Sequence, residues 1–173
     1  MSLDRIVVRP FTVDDWALCK EVRLKALQSD PKSFGSNYAK EAAYDDAKWR
    51  EQLANPDVVA FGVFLDGKVI GMTGVMHSNA DRSEAGLWGS WLEKEYRGRG
   101  VSALMYKARL DWVRSRPEIE RVIVSHRESN LASKHANQKH GFHFTHSDDG
   151  KVWSDGKNEP EHFYELKVKN YVP

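Results

Sequence analysis

Arg97-Gly98-Arg99-Gly100-Val101-Ser102 is the segment whose residue types and spacing point most directly to chemistry. It follows a β-like run and precedes an amphipathic helical pattern, so it falls where the first backbone N–H groups of a helix have no partner within the helix. Those amides, the positive end of the helix dipole and two glycines that permit close approach all suit a phosphate group. Arg97 and Arg99 add full positive charge beside it. Gly98-x-Gly100-x-x-Ala103 also satisfies the relaxed dinucleotide fingerprint. That fingerprint opens a repeated βαβ unit with an acid closing the second strand, whereas here a hairpin comes first. The acids near the required distance, Glu118 and Glu120, precede the next strand instead of ending it. No Gly-Lys-Ser/Thr is present, which excludes a P-loop.

Other residue types could move protons. His77, Glu84, His126 and Glu128 lie at or near the ends of β-like runs and are candidate bases, and spacing does not separate them. An imidazole such as His126 titrates ordinarily at about 6.5, which suits a base near neutrality. His135, His140, His143 and His146 invite comparison with a metal site. However, His140 ends a helix, and His143 and His146 have opposite parity in a strand, so no metal site is expected.

Several elements must position these groups. Ile6 to Arg9 is a short β-run ended by Pro10. Thr12 with Asp14 and Asp15 then begins a helix from about Asp14 to Gln28, which Asp30-Pro31 stops. An irregular loop is expected from Pro31 to Ala39 and a second helix from about Tyr44 to Ala54. Val58 to Leu65 and Lys68 to His77, linked by Asp66-Gly67, form a hairpin. Ala85 to Leu92 is the strand that delivers the chain to the Arg-Gly turn, and Val101 to Arg114 is helical. Arg121 to His126 is a strand of the kind buried on both faces. A helix capped by Ser129 or Asn130 runs to about His140 and ends at Gly141. Strands follow at Phe142 to His146 and Phe163 to Val168, with a loop from Asp148 to Pro160 between them.

With 173 residues, the chain is expected to form one domain over 1–173. Lys and Arg total 26 against 25 Asp and Glu, so the net charge of +1 favours neither nucleic acid nor a membrane surface as partner. No stretch approaches the roughly 20 apolar residues of a membrane span, and no apolar leader opens the chain. Cys19 is the only cysteine, which fits a reducing, cytoplasmic setting.

Arg97, Gly100 and Ser102 meet the pattern Arg/Gln-x-x-Gly-x-Gly/Ala with Ser in the last place, after Trp91-Leu92-Glu93-Lys94-Glu95-Tyr96. Asn130 opens the helix that ends Lys139-His140-Gly141-Phe142. These two blocks, in this order, resemble the GNAT superfamily of N-acetyltransferases over nearly the full chain. The resemblance implies an α/β fold with a mixed, largely antiparallel, splayed central sheet of about six to seven strands flanked by about four helices. It implies acetyl-CoA as cosubstrate, with no metal. The pyrophosphate would rest on Arg97, Gly98, Arg99, Gly100, Val101 and Ser102. Trp91 and Leu92 would offer backbone groups to the pantetheine arm in the gap between splayed strands, and Asn130 would help hold it.

The resemblance further implies direct attack of an amine acceptor on the thioester in a ternary complex. A backbone N–H near Trp91 or Leu92 would polarise the carbonyl. The family commonly places a tyrosine seven residues after the Asn, where this chain has Asn137. Asn137 can hydrogen-bond but cannot act as an acid, and Ser133, one turn earlier, could relay a proton through water. Glu84 and His126 stand as candidate bases. The loops at 31–39 and 148–160 would wall the acceptor side, where Glu41, Asp45 and Asp46 could attract a cationic amine. The alternative is a CoA-binding regulatory module without turnover. Either would be a monomer or a homodimer.

Overall fold

The computed structural model describes residues 1–173, and every run marked as β by its residues finds a neighbour in one sheet. The strands are β1 (Ile6–Pro10), β2 (Val58–Leu65), β3 (Lys68–His77), β4 (Glu84–Leu92), β5 (Arg121–Arg127), β6 (His143–Asp148) and β7 (Glu161–Lys167). Their order is β1-β2-β3-β4-β5-β7-β6, and only β4 and β5 run parallel. The hairpin turn has φ of 49° at Asp66 and 83° at Gly67 and pairs Leu65 with Lys68. Positive φ at both central residues matches the right-handed twist of the flanking strands.

Helices cover both faces. On one face, α1 (Trp16–Ser29) buries Cys19, Val22, Ala26 and Leu27 against Phe64, Met72 and Trp91. On the other, α4 (Val101–Arg114) buries Tyr106, Leu110 and Val113 against Val75, Leu87 and Val122. Burial of each such large apolar side chain stabilises the fold by roughly 1.5–3 kcal/mol. Ala136 of α5 (Leu131–Lys139) packs on the α4 side. No helix is long and apolar enough to cross a membrane.

Two segments depart from expectation. Where a loop and one helix were expected, two helices form, α2 (Tyr38–Ala42) and α3 (Asp46–Ala54). Asn37 accepts from the Lys40 amide and Asp45 from the Lys48 amide, so each short helix has its own side-chain cap. This brings the helices to five. Strand β5 is only partly buried, with Val122, His126 and Arg127 inside and the other four residues half-exposed.

The 148–160 segment is fastened. Trp153 is buried and its indole N–H donates to the Glu159 carbonyl at 2.7 Å. Arg127, at the end of β5, donates two bonds of 3.0 Å to Asp155 and one of 2.5 Å to Glu159. It also reaches the Lys32 carbonyl at 3.4 Å, and the Ser154 hydroxyl donates to the Ser36 carbonyl at 3.1 Å. The loop after α1 and the β6–β7 loop are thereby joined.

The site depends on how β4 meets β5. Their pairing lasts only from Glu84–Arg121 through Gly86–Ile123. The β3–β4 register then shifts between Met72 and Gly74, with Gly89 at φ 66°. A bulge of this kind bends its strand and ends pairing. Beyond it the two strands part, and the rest of β4 lines a gap.

Candidate active site

That gap opens into a cleft of about 430 Å³ bounded by the end of β4, the turn before α4, the first turns of α4 and the start of α5. A recess of about 90 Å³ continues from it, sharing Ser33, Ser90, Tyr106, Arg109, Asn130 and Ser133 and adding Trp88, His126 and Asn137. One passage therefore runs from the helix start to the proton-active side chains.

At the helix-start end, α4 begins without a side-chain cap, and Gly100 at its N-terminus has φ 86°. Gly98 has φ 71° with nothing within 4 Å of where a Cβ would stand. Left-handed backbone at both positions suits glycine. Together they leave the first amides of α4 open to an anion, and this cradle fits a pyrophosphate. Trp91, Leu92, Val101 and Ser102 line the same cleft, as does Lys139 from α5.

The two arginines differ from expectation. Arg97 donates from Nε to the Leu92 carbonyl at 2.7 Å and from Nη2 to Asp30 at 2.8 Å, so its charge is already balanced. Asp30 also accepts from the Trp91 indole at 2.7 Å. Burial pushes the Asp30 carboxyl up, but Arg97 and the indole outweigh it and hold it below its ordinary value. Arg97 is thus a brace between α1, β4 and the turn. Arg99 is exposed and does not line the cleft.

At the other end, His126 is buried and its Nδ1 lies 2.7 Å from the Arg127 carbonyl. A carbonyl can only accept, so Nδ1 carries the proton and Nε2 the lone pair. Nε2 is buried without a partner in the protein. Burial pushes the pKa of His126 down, the carbonyl bond opposes this, and nearby His162 lowers it again. The ring is neutral at pH 7 and presents a free base.

Asn137 is buried, and its Oδ1 accepts from the Tyr106 hydroxyl at 2.5 Å while Nδ2 has no partner. Tyr106 stacks on His140 with ring centroids 4.0 Å apart, and burial raises its pKa. Arg109 is only 2% exposed, yet no carboxylate pairs with it. It donates to Ser90 Oγ at 2.9 Å and to the Met105 carbonyl at 3.2 Å, and its guanidinium lies 4.6 Å from the Tyr106 ring centroid. Burial lowers its pKa to about 10, which still leaves it charged at neutrality.

Of the residues expected here, His126, Asn130, Ser133 and Asn137 come together, with the Asn130 side chain also capping α5 through the Ser133 amide at 3.1 Å. Glu84 does not join them. It sits at the closed end of the β4–β5 pair, 3.1 Å from Arg121, six residues or roughly 20 Å of strand from Ser90. His77 is buried against the Arg82 carbonyl at 2.6 Å, and Glu128 lies 3.6 Å from His162. Neither lines the cleft. The acids expected to attract a cation are engaged: Glu41 by Arg23, Asp45 as a helix cap, and Asp46 at 3.5 Å from Lys20. Tyr106 and Arg109 were not foreseen. Their signal was a spacing of three on the helix after the glycine turn, with an arginine in the middle of an apolar face.

Solved structures share this fold. The ribosomal-protein-S5-alanine acetyltransferase of Vibrio fischeri superposes with a TM-score of 0.81 at 14% identity, covering 100% of this chain and 98% of that one. The spermidine N-acetyltransferase of Vibrio cholerae, in complex with CoA and spermine, gives 0.79 at 12% identity over 98% and 99%. A putative acetyltransferase of Salmonella typhimurium with its cofactor acetyl-CoA gives 0.77 at 15% over 98% and 97%. At these identities the likeness is one of fold. Comparison with curated protein sequences finds no match. The model of the acetyltransferase (GNAT) domain matches residues 5–143, from before β1 to the start of β6. It takes in the glycine turn, both helices of the cleft and the parted strands, and on that match the chain belongs to the GNAT acetyltransferase family.

Proposed function

We propose that residues 1–173 act as one domain that transfers the acetyl group of acetyl-CoA to an amine by direct attack in a ternary complex. The observation that carries this is the continuity of the cleft, from an uncapped helix N-terminus to a buried neutral imidazole and an unpaired buried guanidinium. Acetyl-CoA supplies the activated thioester. The backbone of Arg97 to Ser102 holds the pyrophosphate, with Lys139 the nearby cation. Trp91, Leu92 and Asn130 face the pantetheine arm.

His126 Nε2 takes the proton from the attacking amine. Tyr106 remains protonated because burial disfavours the phenolate, and its single hydroxyl proton, donated to Asn137 Oδ1 at rest, turns to the departing sulfur as charge develops there. Arg109 stabilises the negative charge that develops there, in a site where water does not compete. In this account Tyr106 and Asn137, one from each helix, together occupy the place of the family's usual α5 tyrosine. Ser133 lies beside them and can relay a proton through water.

The test is acetyl transfer and thiol release across a panel of amines, in the wild type and in His126→Gln. Turnover should depend on an amine and fall at least about 100-fold in the variant. CoA binding with no thiol release for any amine would overturn the assignment.

A further inference from the structure

The turn that follows β5 sets the tautomer of His126. One oxygen, the carbonyl of Arg127, accepts from His126 Nδ1 at 2.7 Å and from the Asn130 amide at 2.8 Å. A carbonyl oxygen has two lone pairs, so both are taken. The orientation of that single peptide group therefore fixes two things at once, the nitrogen of His126 that keeps its proton and the place where α5 begins.

The other amides of the turn are held from a distant part of the chain. The Glu128 amide donates to the Pro160 carbonyl at 2.9 Å, and the Ser129 amide donates to Glu159 Oε1 at 2.7 Å. The second oxygen of that carboxylate, Oε2, accepts from Arg127 Nε at 2.5 Å. Glu159 thus grips both the residue that supplies the carbonyl and the residue just before Asn130. Its acceptor oxygens are ionised, which makes such bonds shorter and stronger than neutral ones. Hydrogen bonding from Ser129, aided by Arg127, outweighs burial and holds the Glu159 carboxyl below its ordinary range, so it is ionised where an imidazole titrates. Glu159 is itself anchored, because its own carbonyl accepts from the Trp153 indole at 2.7 Å. Asp155 differs from it. That acid meets Arg127 only through Nη1 and Nη2 and takes no amide of the turn.

We infer that Glu159 is a positioning residue: by holding residues 127–130 it keeps the proton of His126 on Nδ1 and leaves Nε2 its lone pair. Glu159 lines neither the cleft nor the recess and acts only through the turn. The inference rests on the base role proposed for His126, which requires that tautomer.

The test follows the ring nitrogens of His126 by NMR in protein labelled with ¹⁵N-histidine, at neutral pH, with His126→Gln identifying the signals. Acetyl transfer to the amine panel is measured separately. The wild type should show the Nδ1–H tautomer alone. Glu159→Ala should show a second population protonated at Nε2, and its kcat should fall by about 10- to 100-fold, as when a catalytic group is misplaced. Glu159→Gln should show the second tautomer to a smaller extent, since an amide accepts through one oxygen only and cannot hold both donors. That variant decides if Glu159→Ala does not fold. Asp155→Asn weakens the other hold on Arg127, controls for a loosened loop and should keep the single tautomer. A lone Nδ1–H tautomer in the folded Glu159 variants overturns the inference whatever the transfer assay gives, and so does a second tautomer that appears equally in Asp155→Asn. A second tautomer confined to the Glu159 variants, with kcat undiminished, leaves Glu159 as the holder of the ring and overturns the base role of His126 instead.

Discussion

Replacing Arg109 by methionine should separate stability from activity. The side chain is fully enclosed, and burial lowers its pKa from the ordinary guanidinium range to about 10. That displacement corresponds to about 3 kcal/mol against holding the charged form in the fold. Arg109 is protonated in both folded and unfolded chains at pH values well below 10, so the cost is constant over any ordinary assay range. Against it stand the bonds to Ser90 and the Met105 carbonyl, each worth about 1.5 kcal/mol with a charged donor. The terms nearly cancel. Methionine then fills most of the volume with apolar contacts, and Ser90 keeps its 2.8 Å bond to Thr73. The net change should lie between about 0 and +2 kcal/mol, the range seen when buried charges are replaced by hydrophobic groups. For a domain of this size that is a Tm unchanged or raised by up to about 6 °C. Turnover should fall roughly 100- to 1,000-fold, as on removing one electrostatic donor from a reacting centre. Thermal unfolding followed by circular dichroism, alongside thiol release with a saturating amine, reads both quantities. A Tm lowered by more than about 6 °C with turnover preserved would show that Arg109 holds the fold together and has no part in the reaction.

Three further outcomes follow from the geometry. Because burial disfavours the imidazolium of His126, the neutral base persists to lower pH than in a free imidazole. The acid limb of kcat/KM should therefore fall with an apparent pKa below about 6.5 and vanish in His126→Gln, whereas a limb above 6.5 would contradict the assignment. Gly100→Glu puts a carboxylate at the cradle and should weaken CoA binding by calorimetry at least about 100-fold, with Gly100→Ala reporting the separate strain of φ 86°. Unchanged CoA affinity in Gly100→Glu would remove the pyrophosphate from this turn. Asn137→Ala deprives the Tyr106 hydroxyl of its acceptor and should cost about 1–3 kcal/mol in denaturant unfolding while leaving CoA affinity intact.

Local chemistry made much of this fold legible. Asp66-Gly67 between β-rich runs placed β2 and β3 at their observed ends, and the glycine turn placed α4 at Val101 to Arg114. Both signals act within a few residues. The departures depend on partners far along the chain. Arg97 looked free to meet a phosphate because Asp30, which balances it, is 67 residues away. His126 could not be told from His77 by spacing, since what distinguishes them is which nitrogen meets a carbonyl and which faces the cleft. Tyr106 and Arg109 fell inside a helix whose apolar stripe accounted for its periodicity, and only the parting of β4 from β5 turned that face into the wall of a site. Glu41 looked free to attract a cationic amine because nothing near it in sequence announces Arg23 as its partner.

Strands that diverge from a short paired segment would ordinarily be free to hinge. Here the bonds from Arg127 and Ser154 to the backbone of the loop after α1 span the open end, while Asp30 ties the end of α1 back to Trp91. The notch becomes a ring, closed by pairing at one side and by side chains at the other. Under the proposed transfer, an acceptor entering through such an eyelet would come end-on. A folded protein could offer it only an extended tail, whereas a small amine could thread it whole.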